Sequence, residues 1–79
     1  MSTSPDDRLV TNLSHWLTRQ IGNDELRGKV LEIGTGGLAP GGREAVDELL
    51  AELAISVHGE RGRLEVLVRE TVETLVYGD

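Results

Sequence analysis

Cysteine and phenylalanine are both absent from this 79-residue sequence. Without cysteine the chain has no disulfide, no thiolate metal ligand and no thiol nucleophile, a usage typical of cytoplasmic domains. The only Trp and Tyr side chains are Trp16 and Tyr77, so the chain offers no row of rings on which single-stranded nucleic acid could stack. The core must therefore be built from aliphatic side chains.

Basic residues are also scarce, with eight Lys and Arg against fourteen Asp and Glu and a formal net charge of -6. This balance disfavours nucleic acid and anionic membranes, which proteins bind by neutralising phosphates. No apolar run approaches the ~18–20 residues that span a bilayer, and the first seven residues do not resemble a signal peptide. We expect a soluble, cytoplasmic protein with no nucleic-acid partner and no membrane partner.

His15 and His58 are the only histidines, and they lie on different predicted helices. Neither has a second histidine or an aspartate at metal-ligand spacing. Ser14 precedes His15, but adjacent helical side chains point about 100° apart and cannot form a nucleophile–base pair. We therefore expect no catalytic residue, no metal site and no cofactor, and the chain is predicted not to be an enzyme.

Four segments carry apolar residues at spacings of three and four, the pattern of one helix face. The four stripes are Leu9, Leu13, Trp16, Leu17 and Ile21; Leu26, Val30 and Ile33; Val46, Leu49, Leu50, Leu53, Ala54 and Val57; and Leu64, Leu67, Val68, Thr71, Val72, Leu75 and Val76. The sequence therefore predicts an all-α fold, a single domain over residues 1–79 forming a small antiparallel bundle of four to six helices.

Local signals place the helix ends. Ser4 followed by Pro5 is a typical helix start, and Gly22 is expected to end the first helix. Asn23 or Asp24 can then cap the second helix through its side-chain oxygen.

A glycine-rich loop is predicted over Gly34–Gly42, with Leu38 as its apolar anchor in the core. The third helix is expected to begin at about Arg43 and to end near His58. The β-branched residues within Thr71–Tyr77 leave a strand open as an alternative to the end of the last helix.

The segment Val30–Gly37, which reads VLEIGTGG, resembles the first motif of S-adenosylmethionine methyltransferases. That motif requires a strand within a parallel sheet before the glycines, and no other strand pattern is present. A helix that ends in a loop is the preferred interpretation. A small ligand-binding domain that uses the Gly34–Gly42 loop is the least favoured alternative.

Charged residues are grouped on the third and fourth predicted helices. Acidic side chains lie at spacings of three and four on the third helix, and two arginines precede the last stripe. The candidate protein-interaction residues are Glu44, Asp47, Glu48 and Glu52 on one side and Arg61 and Arg63 on the other. Faces of opposite sign suit head-to-tail association between copies, while an ordinary solvated surface is the alternative.

Two longer stretches, Asn23–Gly34 and Gly59–Leu67, carry a family resemblance. The first contains Asp-Glu-Leu-Arg at a helix start and Glu-Ile-Gly at its end, and the second contains Arg-Gly-Arg-Leu leading into the last helix. This order resembles the bacterial effector-associated, death-like domains, although the family commonly has an aromatic residue where this chain has Ile21-Gly22. The resemblance spans roughly residues 9–75.

The resemblance implies a six-helix, death-like fold and an adaptor role. Such a domain recruits an effector or sensor by like-with-like association in bacterial immunity or programmed death. The expected partner is therefore a protein, such as a like domain, and self-association is part of the expectation. The competing interpretation is a free-standing helical homodimer that associates through apolar surface and has no signalling role.

Overall fold

The computed structural model describes residues 4–55 and 61–77. These residues form four helices and no β-strand: α1 (Pro5–Leu17), α2 (Asn23–Ile33), α3 (Pro40–Ile55) and α4 (Gly62–Tyr77). Each helix packs against two others, with α1 against α2 and α4, and α3 against α2 and α4. The predicted all-helical bundle is confirmed, and the described residues contain four helices rather than the six of a death-like fold.

Helix α1 begins as its sequence indicates. The Asp7 backbone N–H donates to the Ser4 hydroxyl oxygen at 3.3 Å, and Pro5 occupies the first helical position. Pro5 is well suited to that position because it lacks the N–H that would have no helical partner there. Leu9, Leu13 and other apolar residues of the predicted stripe then face the core.

The end of α1 differs from the prediction that Gly22 terminates it. Thr18 is the C-cap, and Arg19 follows with a φ of 65°. The Arg19 N–H donates to the Trp16 carbonyl at 3.0 Å and the Gln20 N–H to the His15 carbonyl at 2.8 Å. These two bonds form a Schellman motif with arginine at the left-handed position that glycine usually occupies.

Helix α2 begins without the side-chain cap that Asn23 or Asp24 was expected to supply. Gly22 is the N-cap residue, and no side chain bonds to the free N–H groups. The Asn23 amide oxygen instead accepts a hydrogen bond from the Trp16 indole N–H at 2.7 Å. Asn23 therefore joins the end of α1 to the start of α2.

The loop between α2 and α3 begins with a glycine in a left-handed conformation and contains a buried leucine. Gly34 adopts a φ of 77°, where a side chain would be strained, and Leu38 is buried, as predicted for the loop anchor. Helix α3 begins at Pro40, earlier than the expected start near Arg43. The expected end near His58 lies outside the described residues.

Helices α3 and α4 run antiparallel and approach closely. A Cβ on Gly42, in the first turn of α3, would lie 3.2 Å from Leu75 Cδ2, near the end of α4. At the opposite ends of the two helices, Glu52 of α3 lies beside Arg63 of α4. The small Gly42 therefore allows the backbone of α3 to pack tightly on α4.

The possible strand within Thr71–Tyr77 is wrong, because these residues continue α4. Thr71 is buried, and its hydroxyl donates to the Leu67 carbonyl one turn earlier at 2.7 Å. This bond satisfies the polar group inside the core. Burial of one helix face here outweighs the local preference of β-branched residues for strands.

The core lies between the four helices and is aliphatic except for one indole ring. Its buried members are Leu9, Leu13, Trp16, Leu26, Val30, Leu38, Val46, Leu49, Leu53, Leu64, Val68 and Leu75. The predicted core residues Trp16, Leu49, Leu53 and Leu64 are confirmed, while Leu67 is partly buried at the edge. None of the four helices is long and apolar enough to span a bilayer.

Candidate protein-interaction surface

The outward face of α3 carries an acidic strip, defined here as Glu44, Asp47 and Glu48. All three side chains are exposed, because the helix turns its other face, which includes Leu49 and Leu53, into the core. None of the three forms an ion pair with another described residue. The strip is therefore a negative surface without a compensating cation among the described residues. Carboxylates at this helical spacing repel by roughly 0.2–0.5 kcal/mol per pair.

Ile55 extends the acidic strip at the C-terminal end of α3. Glu44, Glu48, Ala51 and Ile55 succeed one another at spacings of four, three and four residues, which aligns them along one side of a helix. The Ile55 side chain is 74% exposed. Sequence reasoning missed Ile55, although the same three-and-four spacing that reveals the core stripe also places it among the acids.

Glu52, the fourth predicted acidic residue, lies at the flank of α3 beside α4. One Glu52 carboxylate oxygen is 3.7 Å from Arg63 Nη2, with side-chain exposures of 23% and 84%. The expectation that the acids lie on one side of the molecule and the arginines on the other is therefore wrong for this pair. Arg63 nevertheless projects into solvent for most of its length.

Arg61 has a different environment from Arg63. Its guanidinium carbon lies 3.9 Å from the centre of the Trp16 ring, and Nη2 donates to the Trp16 carbonyl oxygen at 2.5 Å. The cation is thus stacked on a fully buried indole and sits at the C-terminal end of α1, where the helix dipole favours positive charge. Arg61 Nε is buried and has no hydrogen-bond partner among the described residues.

The contacts of Arg61 separate it from the other predicted interaction residues. Its guanidinium fixes the start of α4 against the end of α1, so it joins no exposed surface with Arg63. The structure brings together Glu44, Asp47 and Glu48 on one face and places Glu52 and Arg63 at its α4 side. The acidic strip, Ile55 and Arg63 are the parts of this region that a partner can reach.

The glycine-rich loop lacks the architecture that a methyltransferase motif needs. Val30 and Ile33, which would lie in the strand of that motif, belong to α2. The loop also packs on the start of α1, since a Cβ on Gly37 would lie 3.0 Å from Pro5 Cγ. The preferred interpretation of this segment, a helix end that leads into a loop, is confirmed.

The described residues contain no group of three or more His, Asp or Glu side chains placed to hold a metal ion. His15 is half-buried on α1, and His58 lies outside the described residues.

Comparison with known proteins gives no matching family model, no matching curated protein and no matching solved structure. The resemblance to effector-associated domains therefore remains a prediction from the sequence.

Proposed function

We propose that this chain is a protein-interaction domain without catalytic activity, which recruits an effector or sensor through the acidic strip of α3. The observation that carries the proposal is the strip itself: three exposed carboxylates with no ion-pair partner among the described residues, continuous with the exposed Ile55. A basic partner surface relieves the repulsion within the strip and gains charge-complementary contacts.

The apolar end of the strip supports a protein as the partner. Protein interfaces combine an apolar centre with a charged rim, and the charged groups chiefly guide encounter and select the partner. Ile55 supplies apolar area that contributes to affinity when it is removed from water, whereas Glu44 and Glu48 supply the sign of the surface. A partner with arginines around an apolar contact fits this arrangement.

The proposed partner is a like domain, and Arg63 is the basic residue of this chain that fits the role. Its side chain is 84% exposed and lies beside Glu52 at a distance that leaves the ion pair weak. In head-to-tail association the Arg63 of one copy approaches the acidic strip of the next. The resemblance to effector-associated domains supports a setting in bacterial immunity or programmed-death signalling.

The test is the solution mass of the chain by light scattering, at about 0.05 M and about 0.5 M salt, because screening at the higher ionic strength shortens the reach of charge interactions. We expect a mass that rises with protein concentration at low salt and falls at high salt. Glu48→Lys should rise less in mass than the unmodified chain. The matched control is Glu32→Lys, the same charge change at an exposed position of α2, which should behave as the unmodified chain does.

Variants of the basic side complete the test. Arg63→Glu should also weaken association, and an equimolar mixture of Glu48→Lys and Arg63→Glu should recover part of the loss, since each chain supplies the group that the other lacks. If Glu48→Lys associates as strongly as Glu32→Lys, the acidic strip is not the binding surface. If the chain is monomeric at low salt throughout the concentration range, the like-with-like form of the proposal is wrong.

A further inference from the structure

The outward face of α4 carries a second surface, which has charges of both signs. This α4 seam consists of Val66, Arg69, Glu73 and Val76. It lies on the side of α4 opposite to its buried face, and all four side chains are exposed, with Val66 at 57% and Val76 at 60%. Neither charged member forms an ion pair with another described residue.

The spacing of the α4 seam is three, four and three residues, the spacing of the a and d positions in a coiled coil. The order of its side chains is apolar, basic, acidic, apolar. If α4 is laid antiparallel on a second α4 with position 71 opposite position 71, Val66 meets Val76 of the other copy. In the same register Arg69 meets Glu73 of the other copy, and each contact occurs twice.

We propose that a second copy of this chain docks on the α4 seam, with the two α4 helices antiparallel about a two-fold axis at position 71. The charge complementarity identifies the occupant, because one two-fold operation pairs both ionic groups and both valines without any other residue. An antiparallel coiled coil also places a positions against d positions, as this register requires. This surface is separate from the acidic strip, and the inference does not rest on the proposed function.

The opposite, parallel arrangement lacks this complementarity. With two parallel helices in register, Arg69 would face Arg69 and Glu73 would face Glu73, and like charges directly opposed in an interface are unfavourable. The acidic strip of α3 cannot pair with itself in any orientation, since all its members are negative. The α4 seam is thus the self-complementary one of these two surfaces.

The expected dimer is weak. One helix face with four contact residues buries less area than the ~1,200–2,000 Å² of stable specific complexes. Glu70 adds a local cost, because it flanks the seam one residue from the axis and would approach Glu70 of the other copy. Glu70→Gln should therefore tighten the dimer, by up to about twofold for one relieved like-charge pair.

The experiment is sedimentation equilibrium of the chain from about 10 μM to about 1 mM, a range that covers weak association. We expect a mass that approaches that of a dimer and does not exceed it in the Glu48→Lys background, where association through the acidic strip is removed. Arg69→Glu and Glu73→Arg should each weaken dimerisation about tenfold or more, because each replaces two ion pairs by two like-charge pairs.

Mixing these two variants gives the decisive result. One chain then has acids at both charged seam positions and the other has arginines at both, so the mixture should form a one-to-one dimer more tightly than either variant dimerises alone. The double variant Arg69→Glu/Glu73→Arg should dimerise again by itself. Helical circular dichroism of each variant shows that these exposed substitutions leave the fold intact.

Three outcomes would overturn the proposal. The first is a chain that stays monomeric at the highest concentration, and the second is a dimer that neither single variant weakens. The third is a mixture of folded variants that fails to associate, which would exclude the antiparallel register. Because Glu48→Lys tests the acidic strip and Arg69→Glu and Glu73→Arg test the α4 seam, failure of one surface is distinguished from failure of the other. Only a chain that is monomeric throughout removes both forms of self-association, and recruitment of a different partner by the acidic strip is then unaffected.

Discussion

Removal of the Arg61 side chain should destabilise the fold more than removal of any other exposed or half-exposed cation whose contacts the structure shows. Arg61→Ala deletes the guanidinium that lies 3.9 Å from the Trp16 ring centre and donates to the Trp16 carbonyl. A cation on a buried aromatic ring contributes about 1–2 kcal/mol, and a hydrogen bond from a charged donor contributes about 1.5–3 kcal/mol.

The net loss is smaller than the sum of these contributions. The arginine side chain regains about 2 kcal/mol of rotamer freedom on unfolding, and its buried Nε has no hydrogen-bond partner among the described residues. The Trp16 carbonyl also keeps the Arg19 N–H as a donor in the variant. We therefore expect Arg61→Ala to lower the free energy of unfolding by about 2 kcal/mol.

Trp16 is the sole tryptophan and reports on this contact directly. Urea unfolding followed by its fluorescence gives the free energy, and a loss of about 2 kcal/mol corresponds to a fall in Tm of roughly 10 °C for a domain of this size. The native emission should also shift to longer wavelength, because the ring loses the group that covers it.

Arg63→Ala is the matched control, since it removes the same side chain two positions later. Arg63 is 84% exposed and has one ion pair at 3.7 Å with Glu52, so its loss should cost at most about 1 kcal/mol. Equal effects of Arg61→Ala and Arg63→Ala would refute the assignment of Arg61 to the core contact. A third variant, Arg61→Lys, should fall between them because lysine keeps the charge but not the planar stack.

Three further substitutions test the end of α1 and both ends of α2. Arg19→Gly should raise the free energy of unfolding by about 0.5–1 kcal/mol in urea titration, because glycine adopts the φ of 65° without strain. A loss of stability in Arg19→Gly would contradict the Schellman motif at the end of α1. Gly34→Ala, at a φ of 77°, should lower the free energy of unfolding. Asn23→Ala should cost about 1–2 kcal/mol, since the buried Trp16 N–H loses its acceptor at 2.7 Å. An unchanged urea midpoint for Asn23→Ala would show that water replaces the amide oxygen.

The all-helical bundle and the order of its four apolar stripes could be predicted because the buried face of each helix repeats at a period visible in the local sequence. The spacing of apolar residues identifies the stripes, and the Ser4-Pro5 start and the buried Leu38 follow from local chemistry. These features need no information about distant residues. The acidic strip of α3 is equally local, since three exposed acids on one helix follow from its period.

The incorrect expectations concern residues whose roles depend on distant partners. Asparagine often caps helices, but the Asn23 side-chain oxygen instead accepts a hydrogen bond from the indole N–H of Trp16. Arg19 precedes a glycine that is better suited to end a helix, yet α1 ends earlier, where the chain can turn back toward α2. Arg61 lies 45 residues from the carbonyl that it contacts, and no local pattern distinguishes it from Arg63.

The two candidate surfaces differ in a way that determines what each can do. A strip with charges of one sign requires a partner with a different surface, so Glu44, Asp47 and Glu48 can recruit but cannot close a symmetric dimer. The α4 seam, whose charges of both signs are related by a two-fold axis, can form a closed dimer and leaves no free seam to which a third copy could bind.

A dimer formed through α4 would present two acidic strips at a fixed separation, because α3 and α4 pack closely through Gly42 and Leu75. A recruited protein with two basic sites would then bind with an effective concentration set by that separation. Loss of the α4 dimer by Arg69→Glu should consequently weaken binding to a bivalent partner while leaving binding to a monovalent one unchanged.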